Sequence, residues 1–169
     1  MNIIETDRLK IKKLTVEDSK FIFELLNDPE WIKYIGNRNI NNDKDAQNYI
    51  SNRLLKSYEQ YAFGLYLVKE NNSNASIGLC GLIKRDYLEH VDLGFAFLPN
   101  YRKNGYAYES ASAVIKYAKE TFGLDTLFAI TSLDNTRSVN LLEKLGFKFI
   151  NKITAPEEKE ELNLFVNKL

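Results

Sequence analysis

Apolar residues along this chain change their period several times, and each change marks an element. From Arg8 to Leu14 apolar and charged positions alternate, Leu9 and Ile11 against Lys10 and Lys12, the pattern of a half-buried strand. Thr15 reads as a helix N-cap with Glu17 and Asp18 in the first turn. Phe21, Ile22, Leu25 and Leu26 continue a helical stripe until Asn27-Asp28-Pro29 stops it. Trp31, Tyr34 and Ile35 form a short amphipathic piece, residues 39–45 read as a loop, and residues 46–55 return to helical spacing. Residues 61–68 and 76–84 are apolar runs separated by Glu70-Asn71-Asn72-Ser73-Asn74, a hairpin with a loose loop. Residues 91–98 are apolar at alternate and intervening positions alike, which predicts a strand buried on both faces, ended by Pro99.

Beyond that strand, Tyr108, Ala111, Ile115, Ala118 and Phe122 recur at steps of three and four, one stripe of a long helix. A short buried strand at residues 127–131 follows, then a helix capped by Asp134 or Asn135 and ending at Gly146. Two strands close the chain, one running from Gly146-Phe147 through Ile150 and one from Leu162 to Val166, joined by Pro156 and a charged run at 157–161 that reads as a solvated turn. This order predicts a single α/β (α+β) domain over residues 1–169, with one mixed sheet and helices on both faces. The strands flanking the long helix should be parallel with a right-handed crossover, and a ligand belongs where such neighbours diverge at their C-terminal ends.

Charge excludes whole classes of partner. The chain carries 23 Lys and Arg against 23 Asp and Glu, so no global field draws it to nucleic acid or to a membrane surface. The one cysteine, Cys80, lies in an apolar run and reads as a small buried hydrophobe. No basic N-terminal region and no long apolar segment is present, which predicts a cytoplasmic protein.

Between the strand ending near Leu98 and the long helix lies Arg102-Lys103-Asn104-Gly105-Tyr106-Ala107. A helix N-terminus offers unpartnered N–H groups and the positive end of the dipole, so an anion placed there gains hydrogen bonds and field together. Gly105 lets the backbone approach that anion, Ala107 keeps the next turn open, and Arg102 and Lys103 add charge. A run of amides spans two linked phosphates better than one. The three glycines of a dinucleotide fingerprint and the Gly-Lys-Ser/Thr of a P-loop are both missing.

Residues 92–107 resemble the acyl-CoA-binding motif of the GNAT acetyltransferase superfamily, in which a strand leads into an Arg/Gln-x-x-Gly-x-Gly/Ala loop. The family's second segment is similar to Asn135-Thr136-Arg137-Ser138 followed by Leu142-Glu143-Lys144-Leu145-Gly146-Phe147. Glu5-Thr6-Asp7-Arg8-Leu9 and the form of the second segment look most like the branch containing the ribosomal-protein N-terminal-alanine acetyltransferases. The resemblance covers nearly the whole chain, most weakly between Trp31 and Tyr61. It implies a mostly antiparallel sheet of six to seven strands with a parallel pair at the cofactor site. It implies acetyl-CoA as cofactor, no metal, a monomer or homodimer, and an amine acceptor: a protein N-terminus or a small amine. Phe95, Phe97, Leu98, the loop 102–107, Asn135 and Ser138 would line the coenzyme. Trp31, Tyr34 and Glu89 would face the acceptor.

Acetyl transfer to an amine needs a proton taken from the amine, an oxyanion stabilised and a thiolate protonated. An α-amine of pKa about 8 is roughly one-tenth neutral at pH 7, whereas a lysine amine is neutral about once in 2,500, so an α-amine asks only a modest base. Asp92, at the start of the central strand, is the first candidate for that base; Glu89 and His90 compete with it. By the resemblance, a backbone N–H near Phe97 would hold the oxyanion. Many family members carry a tyrosine as proton donor where this chain has Leu142, which passes the role to Ser138, Tyr106, Tyr108 or solvent. Asn135 would cap its helix and bind pantetheine amides. Two other readings stand beside the enzyme: a non-catalytic acyl-CoA sensor or interaction module, and a nucleotide-phosphate module.

Overall fold

The computed structural model describes residues 1–169. Eight strands form one sheet in the order β1-β2-β3-β4-β5-β6-β8-β7: β1 Asn2–Glu5, β2 Leu9–Lys12, β3 Leu65–Glu70, β4 Ser76–Ile83, β5 Asp92–Phe97, β6 Thr126–Ser132, β7 Lys148–Thr154 and β8 Glu161–Lys168. The sheet has one strand more than the six or seven expected. The addition is β1, a four-residue edge strand with a register shift against β2, too short and too exposed to give a clear alternation. Every pairing is antiparallel except β5 with β6, which the long helix α5 (Tyr106–Phe122) connects, as expected of a crossover unit.

The period-two pattern decides which side chains meet which layer. Tyr66 and Val68 of β3, with Cys80 and Leu82 of β4, join Ala111, Val114 and Ala118 of α5 in a core of 19 buried residues. Leu67 and Leu79 point the other way, into a core of 13 residues built with α1 (Ser19–Leu26). Cys80 is completely buried and its thiol is pushed up to about 12 by desolvation, as its reading as a buried hydrophobe requires.

Thr15 and Asp18 form a capping box before α1. Asp28 caps α2 (Pro29–Tyr34), with Pro29 in the first turn. Helix begins earlier than expected in the next stretch, because Asn42 caps it by accepting from the Asp45 N–H. It runs as α3 (Asp43–Tyr49), a π-helical turn (Ile50–Leu54) and α4 (Leu55–Tyr61), which takes Tyr61 out of the strand predicted for it. In β5 the central residues Gly94, Phe95 and Ala96 are only partly buried rather than enclosed on both faces. They border the cleft described next. No helix is long and apolar enough to cross a membrane.

Candidate active site

The parallel pair β5 and β6 touches at a single register position, Asp92 opposite Phe128, where the Phe128 N–H donates to the Val91 carbonyl at 2.9 Å. Beyond it the strands separate. On the other side β5 pairs fully with β4, and the Leu98 N–H donates to the Ile77 carbonyl at 3.0 Å, which fixes the alternation. Gly94, Ala96 and Leu98 present their N–H groups to β4, so those of Phe95 and Phe97 face the gap toward β6.

That gap belongs to a cleft of about 1860 Å³. A single ligand site is typically about 300–1,000 Å³, so the cleft has room for an extended ligand and a second molecule meeting it. The loop 102–107 borders one end. Lys103 and Gly105 both have positive φ, 64° and 79°, and the alternation of backbone hand turns successive amides inward. The N–H groups of residues 103–108 find no acceptor within the chain, and the first helical bond of α5 is from Glu109 to Gly105. Arg8 clasps the loop from the N-terminal segment. Its guanidinium donates to the Asn104 carbonyl at 2.8 Å, pairs with Glu109 at 2.6 Å and covers the Tyr106 ring at 4.5 Å. Sequence reasoning missed this role, although the Glu-Thr-Asp-Arg-Leu run that carries Arg8 was in view.

Asp92 lines the cleft and is 1% exposed, its carboxylate 3.1 Å from Arg85 Nε. Burial pushes it up to about 6, and the Arg85 guanidinium offsets only part of that rise. Arg85 also escaped the sequence reading, yet the hairpin explains it. Ile83 stands opposite Asp92 in the β4–β5 register, so a residue two positions on can fold back onto the carboxylate. Glu89 and His90 lie outside the cleft lining; Glu89 is exposed and His90 packs edge-on against Phe128. The loop carrying them turns away before β5 begins.

Across the gap, Asn135 caps α6 (Thr136–Lys144) by accepting from the Ser138 N–H at 3.3 Å, and both residues line the cleft. Leu142 is 1% exposed and belongs to the main core. Tyr106 hydrogen-bonds Glu70 at 2.7 Å, so its hydroxyl is engaged outside the cleft chemistry; Tyr108 lines the cleft and is exposed. Leu98, expected along the coenzyme, does not line the cleft. Its N–H is taken by Ile77 and its side chain packs in the second core. Asn104 also stays off the lining, its carbonyl held by Arg8. Trp31 and Tyr34 of α2 form the opposite wall, and the Tyr34 carbonyl accepts from Ser132 at 2.8 Å. No group of three or more metal-binding side chains is present.

A run of unpartnered amides at a helix N-terminus, a parted parallel strand pair and a buried carboxylate meet in one cleft. The sequence matches the family described as Acetyltransferase (GNAT) domain over residues 8–148, and the chain belongs to that family of acetyltransferases. It is 28% identical over 148 residues to the uncharacterized N-acetyltransferase YoaA of Bacillus subtilis (strain 168), covering 86% of this chain and 82% of that one. Its fold is that of the ribosomal-protein-S5-alanine acetyltransferase from Vibrio fischeri, with TM-score 0.81, 15% identity and coverage of 98% and 95%. It is also that of the Microcin C7 self-immunity acetyltransferase MccE, solved in complex with acetyl-CoA and AMP, with TM-score 0.82, 13% identity and coverage of 97% and 94%.

Proposed function

We propose that the protein transfers an acetyl group from acetyl-CoA to a primary amine, a protein N-terminus or a small amine, by direct attack within a ternary complex. The observation that carries this reading is that Lys103 and residues 105–108, whose N–H groups are unpartnered, line the same cleft as the Asp92 carboxylate. The run and the dipole of the 17-residue α5 favour the coenzyme's diphosphate. Pantetheine then lies in the gap between β5 and β6, its amides within reach of strand groups and Asn135.

With the thioester carbonyl directed at β5, the N–H of Phe95 or Phe97 meets the oxyanion that forms on attack. Asp92 takes the proton from the incoming amine. A carboxylate at about 6 is ionised at neutral pH yet basic enough to share a proton with an ammonium of pKa near 8. Arg85 holds it in place. The Ser138 hydroxyl donates a hydrogen bond to the departing thiolate and relays it a proton from solvent, so the serine ends the step neutral. A thiol of pKa about 8.5 leaves without much help, so the hydroxyl accelerates a step that solvent also serves. Leu142 then costs little where a tyrosine is common.

The test is thiol release from acetyl-CoA with a panel of α-amines, polyamines and lysine side chains. Turnover with at least one α-amine, lost in Asp92→Asn while CoA still binds, supports the reading; CoA binding without turnover on any amine overturns it. Gly105→Val puts a β-branched residue at φ 79° and crowds the diphosphate, so it should raise the KM for acetyl-CoA at least about tenfold.

A further inference from the structure

We propose that Arg102 is a positioning residue that fastens the acceptor wall to the coenzyme loop, and that its guanidinium is not a ligand of the diphosphate. The inference rests on the coenzyme reading above. Every nitrogen of this guanidinium is already engaged. Nε donates to the Phe97 carbonyl at 3.0 Å, NH2 is bonded to Asp28, and NH1 lies 3.1 Å from Glu30. Glu30 is bonded in turn to Arg137, in the first turn of α6. Four charges therefore alternate across three elements that meet at the cleft: the start of α2, the coenzyme loop and α6.

The inner pair is shielded, with Arg102 16% and Asp28 6% exposed, so it is worth more than a surface ion pair and costly to leave half-made. Asp28 also accepts from the Trp31 N–H as the cap of α2. One carboxylate thus sets both the start of that helix and the place of Arg102. The run of unpartnered amides begins at the very next residue, Lys103. An anion that draws residues 103–108 into place acts on the backbone of Arg102, and its side chain carries the adjustment to α2 and to Phe97. Ser132 holds the other end of α2 at Tyr34, so the wall is fixed at both ends and only the Arg102 end is tied to the coenzyme loop.

Trp31 is the only tryptophan and is packed in the second core behind that wall, 6% exposed, so its quenching reports how readily the wall opens. Full-length wild type and Arg102→Gln are titrated with CoA by calorimetry, and acrylamide quenching of Trp31 is followed in parallel. In wild type CoA should reduce the quenching constant. In Arg102→Gln the Kd for CoA should stay within about threefold of wild type while the quenching change disappears; loss of a charged ligand of the diphosphate would instead cost about tenfold or more. A Kd raised tenfold, or a quenching response unchanged by the substitution, overturns the proposal. Glu30→Gln, which spares the Arg102–Asp28 pair, should show a reduced response at unchanged Kd and decides the matter if Arg102→Gln does not fold. Failure of wild type to bind CoA would refute the coenzyme reading itself and is recognised before any variant is made.

Discussion

Asp92, the proposed base, is a residue whose burial bears on stability and on the proposed chemistry in opposite directions. Its folded value of about 6 lies above the 3.8 of a free aspartate, so between these values the native state holds a proton that the unfolded chain has released. Stability from this group is full below about pH 4 and falls as pH rises toward 6. The unfolding free energy of wild type, minus that of Asp92→Asn, should therefore decline across that window by roughly 3 kcal/mol, as denaturant melts at a series of pH values would show. A difference that rises with pH would contradict the burial argument. Turnover runs the opposite way: it should fall below about pH 6 as the base is protonated, and Asp92→Asn should lower kcat about 100-fold and remove that limb. Ser138→Ala should lower kcat by less than about tenfold, short of the ~10²–10⁴ of an obligatory acid, because the leaving thiolate is already weakly basic. A larger loss would make Ser138 indispensable.

At the scale of elements, legibility followed the range of the interaction. The strand, basic turn and helix from Asp92 to Phe122 were readable because their signals are local: an apolar run, a proline, a glycine at positive φ and a helical stripe. The edge strand β1 and the onset of α3 were not, since a four-residue strand has too few alternations and a helix start depends on which of several polar residues caps it. The site divided in the same way. Asp92, Gly105, Asn135 and Ser138, singled out by local pattern or by the family resemblance, line the cleft, whereas Arg8, Arg85 and the charges around Arg102 make contacts that form only on folding. Leu98 and Glu89 miss the cleft for a related reason, because strand alternation and the path of a turn decide which neighbours of a site residue reach it. Close packing between elements also yields a prediction. A Cβ at Gly81 would stand 2.1 Å from the Gly64 carbonyl, where β4 crosses the approach to β3. Gly81→Ala should cost about 1–3 kcal/mol in thermal or chemical unfolding, the range for overpacking.

Across the whole molecule, the sheet holds open the gap that the proposed reaction would use. Strands β1 to β5 form a continuous antiparallel ladder, β6 to β8 form another, and the two meet only at Asp92 and Phe128. The cleft is the opening that this single junction leaves. A coenzyme entering it buries against both halves, so binding should raise the melting temperature in proportion to the logarithm of CoA concentration above Kd. The backbone amides at 103–108 are the proposed seat of the coenzyme's diphosphate, and they can be observed one by one. In a ¹H–¹⁵N correlation spectrum recorded during titration with CoA, the largest amide shifts should fall on residues 103–108. Largest shifts elsewhere, with those six amides unmoved, would contradict it.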